Sequence, residues 1–512
     1  MKRNSKATSG KLLAGLTAAA LLLMTAACAA DEPQQAGKAP EAGADALKEV
    51  TLTWYYPGPV DRMKDYELVQ EEMNKLIKPA INATLELKPL DWGAYEQKIN
   101  TMNASGEKYD LVWTSPSTNN YHQNVAKDAL YPLDDLLTHY APKLKAAIPE
   151  NVWNAAKVNG RIYGAINWQI VAMPYGVSVP KMYIDKYGID MDAIASYEDF
   201  EPYLKAWKEP HFPVLYNKDG SDGFSGTPTL WGMDSIGGDT TVGWIRLDDP
   251  ELTVFNQFET AEFKKEMERR RSLYLANYLP KDAAVQGRGD IDSAYKSGKY
   301  SLFNIAVPTK PGVAAEEKQR FNGIEVVYKS LVDPYITTNR AIATMTGISA
   351  TSPNPERAMM LLELMNTNKE LYRLMSYGIE GKHYKVTDKD KGVIEMISDG
   401  GYAPNTDWMY GSTFNGYYRS MDDVGNNEKI LEMNLSAKTS PILGFSFNPE
   451  PVKLEVAQTT SVYKEYKDLL ASGTSDLDKT LPEFLDKLNK AGAQKIIAEK
   501  QKQLDEWKKS NS

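Results

Sequence analysis

Residues 49–113 read EVTLTWYYPGPVDRMKDYELVQEEMNKLIKPAINATLELKPLDWGAYEQKINTMNASGEKYDLVW. EVTLTW (49–54) alternates and is rich in β-formers, so it predicts a strand that YYPGP (55–59) breaks. Residues 65–77 place Tyr66, Val69, Met73 and Ile77 at helical spacing. ATLEL (83–87) predicts a second strand, 95–102 a second helix ending near Ser105 and Gly106, and YDLVW (109–113) a third strand. Strand, helix, strand, helix, strand means right-handed crossovers and a parallel sheet. Ligands of such sheets sit at the carboxyl ends of the strands. Here those ends carry WYY (54–56), PLDW (89–92) and WTSP (113–116), all aromatic and polar, with no Gly-rich phosphate loop.

Further along, VAMPYGVSV (171–179) predicts extended chain, and 197–207 and 261–278 predict helices. GKYSLFNIAV (298–307) reads as another strand, and residues 355–366 as a helix. From 369 onward the chain reads as mostly helical, with loops near 398–405 and 444–451. No repeat of repeat-protein length is visible.

Working back from the first strand, Lys2, Arg3, Lys6 and Lys11 precede an apolar run from Leu12 to Met24, followed by Thr25, Ala26, Ala27 and Cys28. The run is short for a permanent span and reads as a secretory signal peptide. Cys28 is the single cysteine, so no internal disulfide can form. The segment resembles a bacterial lipoprotein signal, in which this cysteine becomes the lipidated N-terminus; it departs from that pattern at Thr25, where leucine is usual. Residues 29–47 are rich in Ala, Gly, Pro, Glu and Gln and predict a disordered tether.

With 512 residues, 42% apolar and 25% charged, the chain has an ordinary globular balance with room for several domains. That excludes collagen, wholesale disorder and a multi-pass membrane protein. A net charge of -9, more acidic once the leader is removed, argues against a nucleic-acid binder. The 30 Tyr and 10 Trp against 12 Phe point to recognition surfaces that are flat, apolar and hydrogen-bonding at the edge.

Three segments resemble the extracellular solute-binding proteins (family 1) of ABC importers that take up sugars: 109–137, 160–190 (GRIYGAINWQIVAMPYGVSVPKMYIDKYGID) and 346–365 (TGISATSPNPERAMMLLELM). Residues 371–386, 436–458 and 495–507 are similar to the LplA/LipO-like lipoprotein subgroup, which ends in a domain of unknown function. The resemblance implies an α/β, two-lobe, periplasmic-binding-protein-like fold with hinge strands and a helix-rich C-terminal region. It places a first lobe at 48–167 and 335–385, and a second at 168–334 and 386–512, with crossings near 167–175, near 335–343, and between 378 and 402. It implies an oligosaccharide ligand between the lobes, ABC permease subunits as partners, a lipid anchor on the outer face of the membrane, and a monomer.

The candidate ligand contacts are aromatic faces for sugar rings and polar groups for their hydroxyls. Tyr55 and Tyr56 end the first strand, and Trp113 and Ser115 the third. Trp168, Gln169 and Tyr175 lie at the expected first crossing. Trp231 and Trp244 flank the Gly/Asp-rich loop LWGMDSIGGDTTVGW (230–244), while Trp408 and Asn405, with Asn415 nearby, lie in NTDWMYGSTFNGYY (405–418).

No catalytic residue, metal site or cofactor is expected. His122, His139, His211 and His383 are scattered without metal-ligand spacing. No nucleophile elbow, P-loop or dinucleotide fingerprint occurs. DGSDG (219–223) and DKDKG (388–392) are acidic but lack calcium-loop periodicity and read as turns. The alternatives are a secreted polysaccharide-active enzyme and a peptide- or signal-binding lipoprotein of the same fold.

Overall fold

The computed structural model describes residues 47–218, 227–318, 321 and 323–510. The expected signal peptide, Cys28, nearly all of the tether and the DGSDG segment lie outside them.

A five-stranded sheet runs in the order Ala83–Leu90, Val50–Pro57, Leu111–Thr114, Met345–Ile348, Gly164–Ile166. The first three strands are parallel as predicted, with Trp54 opposite both Leu87 and Leu111. Strand Met345–Ile348 runs antiparallel to both its neighbours. Helix Tyr66–Ile81 buries Val69, Met73, Ile77 and Ile81, and Asn82 ends it in the left-handed region at φ 45°. Asn82 Nδ2 then donates to the Leu47 carbonyl, so the last residue assigned to the tether is already part of the fold. Helix Trp92–Ser105 starts where the Asp91 carboxylate accepts the Gly93 N–H, and stops at Gly106, φ 69°. Helix Pro355–Thr367 follows its predicted bounds and packs Ala358, Met359, Leu361, Leu362 and Met365 into the same core.

A second sheet is antiparallel, ordered Asn304–Pro308, Tyr175–Pro180, Val326–Ser330. Gly176 is required there: a Cβ would stand 1.9 Å from the Lys329 carbonyl oxygen. Of the predicted 298–307 strand only 304–307 belongs to the observed one, which runs to Pro308; Tyr300, Leu302 and Phe303 instead pack in the second core. The C-terminal helices Lys453–Ala471, Leu477–Lys490 and Ala493–Ser510 pack Tyr463, Leu470, Phe484 and Leu488 against Phe258, Phe263 and Met267.

Three short strands form a third sheet: Ala172–Met173, Tyr335–Ile336 and Lys438–Thr439, with Tyr335–Ile336 central. The expected third crossing between 378 and 402 is not where this sheet draws its third strand. Residues 384–396, read as part of a mostly helical region, form a hairpin, Tyr384–Asp388 with Val393–Met396. DKDKG is its turn, closed by the Lys391 N–H on the Asp388 carboxylate. Beyond it, Tyr402, Met409 and Tyr410 bury in the first core, with Leu431 and Met433 packed against it. Part of 386–437 thus joins the first core, whereas Asp422 in the same segment meets Lys318 at 3.5 Å. Asp65 reinforces this join: its carboxylate meets Lys382 at 2.8 Å and His383 at 3.3 Å.

Candidate functional site

The predicted strand ends converge. Trp92 opens its helix directly after strand Ala83–Leu90 and is 40% exposed, unusual for so large an apolar ring. It stacks on Trp408, with centroids 6.3 Å apart and planes at 26°. Trp113, itself only 3% exposed and part of the first core, stands edge-on to both, 5.8 Å from Trp92 and 5.9 Å from Trp408. Edge-to-face and offset arrangements suit the ring quadrupoles. The Trp113 indole N–H donates to Thr344 Oγ1 at 2.7 Å, which also accepts from Asn167 Nδ2 at 3.0 Å. Asn167 Nδ2 reaches the Met409 carbonyl as well, at 2.8 Å. One buried asparagine thus ties the expected first crossing to the residue after Trp408. Trp168 follows, its ring 5.9 Å from Phe414 and its carbonyl accepting the Thr413 N–H.

Asn434 fixes the next turn of chain. Its Oδ1 accepts the Val171 and Ala172 N–H groups, and its Nδ2 donates to the Gln169 carbonyl at 2.7 Å. Gln169 is half-buried there. Tyr175 opens the second-lobe strand and is half-buried. Burial pushes its phenol upward, while Arg340 pulls it down and Asp239 raises it. Arg340 and Asp239 thus act on the phenol of the first residue of the second-lobe strand.

Other expected contacts serve the cores. Tyr56 is 0% exposed, its ring 5.4 Å from Tyr410, because alternation sets it on the same face as Leu52 and Trp54. Tyr55, on the opposite face, is half-buried and edge-on to Tyr109. Ser115 is buried and spends its hydroxyl on a turn: Oγ accepts the Ser117 and Thr118 N–H groups and donates to the Thr118 carbonyl. Trp244 lies inside the second lobe 6.2 Å from Trp231, which packs against the helix-rich core beside Phe263. Asn405 accepts from Arg419 through Oδ1, and Asn415 is buried with Nδ2 on the Asn366 carbonyl. Trp92, though it lies at a predicted strand end, is absent from the contacts expected from sequence. A signal for it exists: an aromatic residue immediately after an N-capping Asp has its side chain at the mouth of the sheet.

Among the described residues, no group of three His, Cys, Asp or Glu side chains is arranged to hold a metal, and no helix is long and apolar enough to cross a membrane.

Residues 441–509 match the family model described as a domain of unknown function, DUF3502. The chain is 28% identical over 482 residues to a carbohydrate ABC transporter substrate-binding protein of Streptococcus pneumoniae, covering 91% of this chain and 93% of that one. Its fold is that of the N-glycan transport solute binding protein (NgtS) of Streptococcus pneumoniae, at TM-score 0.75 and 26% identity over 91% of this chain and 100% of the other. The same neighbour scores 0.67 in complex with Man1GlcNAc and 0.63 in complex with Man5GlcNAc. The two-lobe solute-binding fold expected from sequence is thus the fold observed.

Proposed function

We propose that this chain, with the architecture and kinship of ABC-importer solute-binding proteins, is the component that captures an extracellular oligosaccharide between its lobes and hands it to a membrane permease. The observation that carries this reading is the group formed by Trp92, Trp113 and Trp408 at the carboxyl ends of parallel strands, beside the three-strand crossing. The Trp92 and Trp408 indoles take the apolar faces of sugar rings, with the buried Trp113 edge-on to both. Gln169, Tyr175 and Arg340 supply polar partners for hydroxyls. In a site closed to water, a ligand that leaves one of these groups unpaired is rejected by more than the loss of a single hydrogen bond.

The crossing strands serve as the hinge, about which the lobes rotate as rigid bodies. The first lobe is then 48–167 with 335–437, and the second 168–334 with 438–512. Binding and release need no bond to break, so the protein acts by differential affinity for an open and a closed form. Export by the N-terminal leader and acylation of Cys28 hold it at the outer face of the membrane, leashed through 29–46.

Calorimetric titration with an oligosaccharide panel that includes Man5GlcNAc tests the reading. Saturable binding without change in the glycan is expected. Cleaved glycan would replace it with the hydrolytic alternative, and binding confined to a peptide panel with the signal-binding one. Detergent phase partition of wild type and Cys28→Ala tests the anchor; a variant that stays in the detergent phase overturns it.

A further inference from the structure

The C-terminal unit carries a buried cation with no acid beside it. Lys500 lies on helix Ala493–Ser510 between Ile496 and Leu504, one turn away on either side, and all three are 0% exposed. A third apolar residue would complete that stripe at no desolvation cost, whereas an unpaired buried ammonium is expensive. Its Nζ donates to three main-chain carbonyls, those of Ile236, Val242 at 2.5 Å and Gly243 at 3.3 Å. Three donors meet three acceptors, and the Phe447 ring lies 5.2 Å away.

Those carbonyls belong to the glycine-rich loop SIGGDTTVG (235–243). Gly237, Gly238 and Gly243 sit at φ 74°, 113° and 110°, so the backbone takes a course that few other residues permit. At Gly243 a Cβ would come within 2.6 Å of Lys500 Cδ, which shows how closely the loop wraps the side chain. Gln257 adds two bonds from the other side, to the Gly243 N–H and the Thr241 carbonyl. The tip, 237–241, is left partly exposed. It carries Asp239, which accepts from Ser235 Oγ at 2.7 Å, and Ile236 at its base packs in one cluster with Ile442, just beyond the crossing strand Lys438–Thr439.

We infer that Lys500 is a positioning residue for ligand capture: the last helix inserts an ammonium beneath the 236–243 loop and so fixes the course of its tip, which carries Asp239 as an acceptor for sugar hydroxyls. This rests on the uptake reading. It gives the C-terminal unit a part in binding, since it shapes one wall of the cleft from behind.

The test uses the complete mature chain as wild type, Lys500→Met, Leu504→Ala and Lys500→Ala. By hydrogen exchange, Lys500→Met speeds the amides of 236–243 at least tenfold while helix 493–510 stays protected. Leu504→Ala loosens the helix first. Ethylammonium chloride restores slow loop exchange to Lys500→Ala and does nothing for Leu504→Ala, which a merely space-filling lysine would not produce. Loop exchange equal to wild type in Lys500→Met, or no rescue by ethylammonium, overturns the inference. On a glycan array followed by titration, Lys500→Met binds the best-retained glycan at least tenfold more weakly. Equal affinity overturns the positioning role and leaves the uptake reading standing, whereas a wild type that retains no glycan overturns both.

Discussion

The two lobes are held together by different physics. The first is one large apolar core, in which Leu52, Trp54, Ile77, Leu361 and Met365 are completely buried around the five-stranded sheet. Its buried cation, Arg357, sits at the margin and binds the carbonyls of Ile81 and Asn82. The second lobe divides its apolar residues among smaller clusters and sets charges between them. Glu266, 5% exposed, takes Arg269 through two bonds and Arg270 through one. Arg270 continues to the Ala471 carbonyl, and Arg271 to those of Gly473 and Thr474. Apolar contact is non-directional and fills a core from any side. A segment arriving from two hundred residues away to meet a particular loop needs directional bonds, and buried charges make the strongest of these.

The comparison breaks most sharply at Glu266. Replacing it with Ala removes the carboxylate from two largely buried guanidinium groups and should cost about 3–5 kcal/mol in urea unfolding. A loss below about 1 kcal/mol would remove the distinction between the lobes.

In the first lobe, Leu361→Ala should cost about 2–5 kcal/mol through cavity formation. The two variants separate by pH. Burial alone would raise the Glu266 carboxyl, but Arg269 and Arg270 outweigh it and pull it to about 2 from an ordinary 4.5. The stability it supplies is complete above about pH 4.5 and is lost as pH falls through about 2, a span worth roughly 3 kcal/mol. Glu266→Gln should flatten that acid limb, and Leu361→Ala should leave it parallel to wild type. Parallel limbs for both would sink the assignment.

A smaller effect is expected at the site. Trp92→Ala and Trp408→Ala should each weaken glycan binding by about 1–2 kcal/mol, roughly tenfold, since each removes one stacking face. Trp92→Ala should barely move the melting temperature because the ring is so exposed. Unchanged affinity in both variants would place the ligand elsewhere.

The smallest change is expected at the exposed pair of Lys78 and Glu49, 2.8 Å apart. Breaking it with Glu49→Gln should cost under about 1 kcal/mol, less again in high salt. A larger loss would show that the first lobe also relies on charge.

Local pattern made much of this legible. Alternation in 49–54 and the helical spacing of Tyr66, Val69, Met73 and Ile77 need only near neighbours, and the parallel sheet follows from them. The same alternation puts Trp54 and Tyr56 on one face, and both are core. Illegible were the hairpin at 384–396 and the return of 402–410 to the first core. Those depend on Tyr402, Met409 and Tyr410 finding a core built three hundred residues earlier, which no local window reports.

By itself the sequence determined the parallel sheet, the aromatic residues at its strand ends and the solute-binding architecture, because periodicity and order along the chain encode them. Only the tertiary structure decided which indoles meet. It sorted Trp92, Trp113 and Trp408 into one group in which Trp92 is the exposed ring and Trp113 a buried one, consigned Tyr56 and Trp244 to interiors, and set Lys500 under a loop 257 residues away. The physical reason is that burial and hydrogen-bond satisfaction are settled by whatever arrives from elsewhere in the chain, and a residue's own neighbours in sequence do not carry that information.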